Sequence, residues 1–189
     1  MENGSTVEAG LVSNEGMVGI PIILGDNIAP LTTMVRVPDS ALRLCADILL
    51  AEFDRGGSLQ KLLLRYVKSV YIEIAQSAAC NRLHSLEERL ARWLLTVSDR
   101  LQLDEFPLTQ EFISHMLGVR RAGVTVAAHT LSKAGMINYH RGHIQILNRE
   151  ALETTACECY RVIKNEFAQL PANSVQDNSE LIITSNPVN

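Results

Sequence analysis

Two arginines stand side by side, Arg120 and Arg121, directly after a Leu117-Gly118 pair, and twenty residues beyond Arg121 comes Arg141, followed by Gly142 and His143. A guanidinium fork can bond the O6/N7 edge of guanine bidentately, or hold a phosphate oxygen with a charge-assisted hydrogen bond. Both chemistries concern nucleic acid, yet the chain of 189 residues has a formal net charge of −4. The charge is unevenly spread. Residues 107–149 hold Arg120, Arg121, Lys133, Arg141 and Arg149 against Glu111 alone, and four of the five histidines, His115, His129, His140 and His143. A local basic module in an acidic chain is the distribution that suits nucleic acid.

The elements around these residues must position them. Thr109 is an N-cap type of residue, and Phe112, Ile113, Met116 and Leu117 follow on one helical face. Gly118 suits a left-handed turn residue. A second helix is predicted from about Arg121 to Ala134, with Val124, Ala127, Ala128 and Leu131 inward and Gly135 at its C-terminus. "MINYHRGHIQIL" then alternates about Arg141-Gly142, the pattern of a hairpin. Helix-turn-helix plus hairpin is a winged helix. On it Arg121, Thr125 and His129 would read base edges from the outward face of the second helix. Arg120, Arg141, His143 and Thr109 would contact phosphate.

Upstream, "SLEE" at Ser85–Glu88 is a capping box, opening a helix to about Leu101 with Leu86, Leu90, Trp93, Leu94 and Val97 buried. A long helix is predicted over 58–82 with Ser58 as N-cap, and Leu63, Val67, Val70 and Ile74 form a stripe that could pack on a second copy of itself. Residues 1–40 read as short strands and turns, "TTMVRV" (Thr32–Val37) being the clearest strand. Residues 39–55 read as a helix with Leu42, Cys45, Ile48 and Leu49 as its stripe. Asn148 caps a last helix to about Leu170, and 171–189 is polar and expected to be disordered.

The residues Leu108–Glu153, followed by "CECY" (Cys157–Tyr160), resemble the Crp/Fnr family of bacterial transcription regulators, as does the helix "LEERLARWLLTVSDRL" before them. The resemblance implies a dimerisation helix at 58–84, a winged helix-turn-helix domain at 85–170, and a truncated sensory β-roll with a short helix at 1–57, "SNEGMVGIPIILG" being its remnant. The implied fold class is mainly α with small β parts. The implied function is a homodimeric regulator on an inverted-repeat site in double-stranded DNA, with RNA polymerase as a further potential partner. The alternative is a truncated interaction subunit that pairs with a full-length family member. Where cyclic-nucleotide binders of the family carry a Gly-Glu pair and a later arginine, this chain reads "GIPIILGDNIAPLTT", so no cyclic nucleotide is expected. Arg121 keeps the family's base-reading arginine, while Ala122 and Val126 stand where relatives often carry charge, so a known target site does not transfer.

Cys45, Cys80, Cys157 and Cys159 show no CxxC pair and no Cys-His ligand spacing, and read as reduced thiols. With no phosphate loop or nucleophile elbow, neither enzyme activity, cofactor nor metal is expected. The N-terminus lacks the regions of a signal peptide, and the longest apolar run, Met17–Gly25, is too short to span a bilayer, so a cytoplasmic protein is expected. A gene product with further N-terminal strands is the remaining expectation.

Overall fold

The computed structural model describes residues 7–35, 37 and 40–170. The tail reading for 171–189 lies outside them. The elements in order are α1 (Ile20–Ile23), α2 (Ala46–Asp54), α3 (Ser58–Leu83), α4 (Leu86–Leu101), β1 (Glu105–Pro107), α5 (Gln110–Leu117), α6 (Arg121–Lys133), β2 (Ile137–His140), β3 (His143–Ile146), α7 (Arg149–Thr155) and α8 (Cys159–Phe167). The fold is mostly helical with one small antiparallel sheet, ordered β1-β3-β2.

One core organises the C-terminal half. α4 runs through its middle and is buried on every side from Arg89 to Ser98. It packs against α6, α7 and α8. Its start is fixed by the predicted capping box: the Ser85 hydroxyl accepts from the Glu88 N–H at 3.3 Å, and the Ser85 N–H donates to Glu88 Oε2 at 2.7 Å. Leu90, Leu94, Ile113, Val124, Leu131, Ile137 and Ile144 fill the space between helices and sheet. Leu86 is only partly buried at the margin.

The N-terminal expectations need correction. Among the described residues before Glu105 there is no strand. Residues 32–35 are exposed and unpaired, with Val35 80 % exposed; a strand without a neighbour leaves its backbone groups without a ladder. "GIPIIL" forms the short helix α1, where Pro21 sits in the first turn with its fixed φ and missing N–H. The helix foreseen over 39–55 shortens to α2; Leu42 is 83 % exposed and Ile48 faces solvent, so only Leu49 of that stripe is buried. Ser58 is the first residue of α3 rather than its cap, which is Gly57 without a side-chain bond. Residues 7–17 lie across α3 and α4. The Trp93 indole N–H donates to Glu8 Oε1 at 3.0 Å, the Ser13 hydroxyl to the Arg100 carbonyl at 2.9 Å, and the Tyr66 hydroxyl to the Met17 carbonyl at 3.2 Å.

α3 has one side against its own chain. Tyr66, Ser69, Glu73 and Cys80 are buried, and Arg100 reaches both Glu73 carboxylate oxygens at 3.0 Å. Leu63 is buried with Ile23 and Leu49, and Val67 packs at the edge of that cluster. Leu63 is therefore a core residue of this chain, and Val70 is partly buried. Among the exposed apolar positions, Leu64, Tyr71, Ile74 and Ala78 share one face of the helix, with Val67 beside them. The expected stripe shifts by about one position, because α1 and α2 cover the face that contains Leu63.

The final helix divides. α7 is capped as expected, Asn148 Oδ1 accepting from the Ala151 N–H at 3.0 Å, but the helix is interrupted at 156–158 before α8.

Candidate nucleic-acid interface

The outward face of α6 depends on the turn before it. Thr109 caps α5, its hydroxyl accepting from the Phe112 N–H at 3.2 Å. At the other end Gly118 adopts φ +63°, its N–H donates to the His115 carbonyl at 3.3 Å, and the Val119 N–H donates to the Ser114 carbonyl at 3.0 Å. That pair of bonds is a Schellman motif. The Leu117 carbonyl, unpaired at the helix end, accepts from the buried Arg89 guanidinium of α4. The turn is thus fixed by local backbone bonds and by one cation reaching up from the core.

α6 then runs from Arg121 with Val124, Ala127, Ala128 and Leu131 buried. A Cβ at Gly123 would sit 3.0 Å from Leu86 Cδ2, so the small residue permits the close approach of α6 to the first turn of α4. Its C-terminus repeats the Schellman pattern: Gly135 (φ +72°) donates to the Ser132 carbonyl and Met136 to the Leu131 carbonyl. Arg121, Thr125 and His129 are all exposed and, at 100° per residue, fall within an arc of about 80°. Ala122 and Val126 flank them in solvent. Arg120 is the N-cap, exposed and making no side-chain cap bond.

Thr125 differs from the simplest expectation. Its hydroxyl lies 2.9 Å from Gln110 Oε1 and 3.1 Å from the Arg121 carbonyl, so its one proton is used within the protein. Gln110, at the first turn of α5, thereby joins the surface; its spacing from Thr125 carries no periodic signal. Tyr139 of β2 stands nearby. Burial pushes its phenol up, against the Gln110 backbone hydrogen bond and the Arg121 charge, which lower it.

The hairpin forms as foreseen. Arg141 (φ +48°) and Gly142 (φ +80°) are both left-handed, the backbone of a two-residue type I′ turn. His140 pairs with His143 across it. Arg141 and His143 are exposed, while Ile144 and Ile146 point into the core. The Leu108 N–H donates to the Gly142 carbonyl at 2.7 Å, which places Thr109 beside the turn. β1 was not foreseen: Phe106 pairs with Ile144, making β3 the central strand.

Arg149 leaves the basic surface. Its guanidinium meets Asp99 and donates to the Ser98 hydroxyl at 3.0 Å and to Glu153 at 3.2 Å. The solvent-facing positive charge of the module thus falls chiefly to Arg120, Arg121, Arg141 and Lys133.

A second cluster lies where α3 meets the 156–158 break. Cys80, His84, Cys157 and Cys159 each offer a ligand atom, and these atoms all lie within 4.8 Å of one another. Sequence spacing did not mark it. Cys80 and His84 are four apart at the end of α3, and Cys157 and Cys159 converge because Cys157 is in the break, not on a helix. The Cys80 thiol is pulled down to about 5, first by its hydrogen bond with Cys157, with His84 and Arg92 also lowering it. Cys157 is pushed up by the same contact and by burial.

Two packed helices joined by a glycine turn, with a type I′ hairpin on one flank and arginines at the head of the second helix, define a winged helix-turn-helix. Residues 88–155 match the family model of the Crp-like helix-turn-helix domain. Seventeen solved chains are similar, among them the following three. One is described as a transcriptional regulator of the Crp/Fnr family from Eubacterium rectale (23 % identity, 58 % of this chain and 51 % of that one, TM-score 0.47). Another is FixK2 from Bradyrhizobium japonicum (16 % identity, 57 % and 59 %, TM-score 0.49). A third is a CRP-family transcriptional regulator from Thermus thermophilus (22 % identity, 50 % and 51 %, TM-score 0.44). The match thus spans between half and three fifths of those chains. No curated protein matches. Among the described residues no helix is long and apolar enough to cross a membrane.

Proposed function

We propose that the chain is a sequence-specific DNA-binding transcription regulator acting as a homodimer on an inverted repeat, without binding cyclic nucleotide. The observation that carries this reading is the exposed arc of Arg121, Thr125 and His129 on α6 within the Crp-like domain. Its head, Arg121, is aimed outward by a turn fixed from both sides. Arg121 reads a guanine edge. His129 and the Gln110–Thr125 pair supply the remaining polar contacts, the Gln110 amide N–H groups being free to donate while its oxygen accepts from Thr125. Arg120, Arg141, His143 and Thr109 hold the backbone on either side.

The two-fold partner docks on α3. Leu64, Val67, Tyr71, Ile74 and Ala78 are spaced three and four apart, the a/d pattern of a coiled-coil seam. Tyr71 is 72 % exposed, although it lies mid-helix on an apolar stripe. Two such helices side by side would set two copies of α6 about one turn of DNA apart, roughly 34 Å.

Binding-site selection from random duplexes, followed by competition with single-base variants, tests the reading. A palindromic consensus bound at least about a thousandfold more tightly than random DNA is expected. Selection that yields no consensus would overturn it.

A further inference from the structure

We propose that Cys80, His84, Cys157 and Cys159 form a closed four-coordinate site for one zinc ion, stapling the end of α3 to the start of α8. Nothing in the DNA-binding reading requires this site, and its test stands apart from that reading.

The geometry is that of a nearly assembled tetrahedron. Metal–sulfur bonds near 2.3 Å and metal–nitrogen bonds near 2.0–2.1 Å imply S···S edges of about 3.8 Å and S···N edges of about 3.6 Å. Cys80 Sγ lies 3.5 Å from Cys157 Sγ, and Cys159 Sγ lies 3.5 Å from His84 Nδ1. The widest separation in the set is under 4.8 Å, so about 1 Å of side-chain adjustment closes it.

The surroundings are those of ligands rather than of packed thiols. His84 turns Nδ1 inward while Nε2 lies 3.4 Å from the Glu158 carboxylate. A metal-bound imidazole ordinarily donates its second N–H to such a carboxylate, which fixes the tautomer. The Gln76 amide donates to Cys159 Sγ at 3.1 Å, a bond that suits a thiolate. Arg92 and Arg89 lie close enough to act electrostatically on Cys80, offsetting the negative charge of three bound thiolates. A purely apolar core would gain nothing from an imidazole or a glutamine amide aimed at its sulfurs. Three thiolates and one imidazole make a soft set with no open position, which favours zinc in a structural rather than a catalytic role.

The test uses the full chain, purified reduced and without oxygen, stripped with chelator and titrated with Co²⁺ as a spectroscopic stand-in, then with Zn²⁺. One equivalent of Co²⁺ should give thiolate-to-cobalt charge transfer in the near ultraviolet and intense tetrahedral bands in the visible, both abolished by Zn²⁺. Cys159→Ser should weaken binding by more than about a hundredfold. His84→Cys should retain it with the spectrum of a four-thiolate site. Glu158→Gln, at an exposed side chain that leaves the fold intact, should cost about ten- to a hundredfold. Cys45→Ser, at the exposed cysteine, should change nothing. A titration without the charge-transfer band, a stoichiometry other than one, or a Cys80–Cys157 disulfide in the reduced preparation would overturn the proposal. So would Glu158→Gln binding as tightly as the parent.

Discussion

Glu8→Gln should make the protein more stable at pH 8 and leave it nearly unchanged at pH 4. Glu8 belongs to the N-terminal segment and turns its carboxylate toward Trp93 of α4. One carboxylate oxygen accepts from Trp93 at 3.0 Å, and the other is buried without a hydrogen-bond partner among the described residues. Burial pushes the carboxyl from its ordinary 4.5 to about 7. The Glu73 charge adds to this, while the Trp93 hydrogen bond and the Arg100 and Arg92 charges oppose it. Below pH 4.5 both folded and unfolded chains carry the proton, and there is no effect. As pH rises from 4.5 to 7 the unfolded chain gives up its proton and the folded chain keeps it, so stability falls across that window; above 7 the loss is complete. At 1.36 kcal/mol per pH unit the full loss is at most about 3 kcal/mol. Glu8 keeps some solvent contact, and local release of residues 7–17 would cap the penalty, so about 1–2 kcal/mol is expected. Glutamine removes the charge and keeps an acceptor for Trp93. Urea unfolding of parent and variant at matched pH values isolates this group in the difference curve. A difference that stays flat from pH 4 to 8, or a variant less stable at pH 8, refutes the account.

Arg121→Ala should cost about 1–3 kcal/mol on the preferred duplex and relax one base position. Arg120→Ala should weaken all sequences alike and lower the salt slope by roughly one. Competition across single-base variants at two salt concentrations separates the two, and equal, uniform losses would reject the division. Tyr71→Glu with Ile74→Glu should give monomers by light scattering at tens of micromolar, since both lie on the exposed seam of α3. Gly118→Ala should destabilise by about 1–2 kcal/mol in thermal unfolding, because its φ of +63° is left-handed and its new Cβ would meet Val7 Cγ2 at 3.3 Å. Calorimetry should detect no micromolar binding of cyclic AMP or cyclic GMP.

The winged helix was legible because its signals are local. Thr109, Gly118, Gly135 and the Arg141-Gly142 turn each act within four residues, and Val124, Ala127, Ala128 and Leu131 keep helical period. What failed depends on distant partners. Leu63 and Leu64 look alike in sequence; which one faces solvent is decided by Ile23 and Leu49, which cover Leu63. β1 has three residues, too few for a period, and exists because β3 pairs with it. The strand expected at 32–37 had the right residue types, but its described residues 32–35 have no neighbour. Of the candidate site, the exposed arc was readable from 100° spacing, but the Gln110–Thr125 bond joins separate helices. The Cys/His cluster joins residues 77 apart, and the break that makes it possible interrupts a helix that periodicity would have continued.

β1 has a thermodynamic consequence for the wing. A free two-stranded hairpin is only marginally stable, and a protein that orders one on its target loses conformational entropy at the moment of binding. Here β3 is the middle strand, hydrogen-bonded on both edges, and the Gly142 carbonyl at the turn is already held by Leu108. That ordering cost is met during folding instead. The wing would meet a duplex as a rigid body, and the heat-capacity change of association would report only the surface covered, with no added contribution from a segment that folds as it docks.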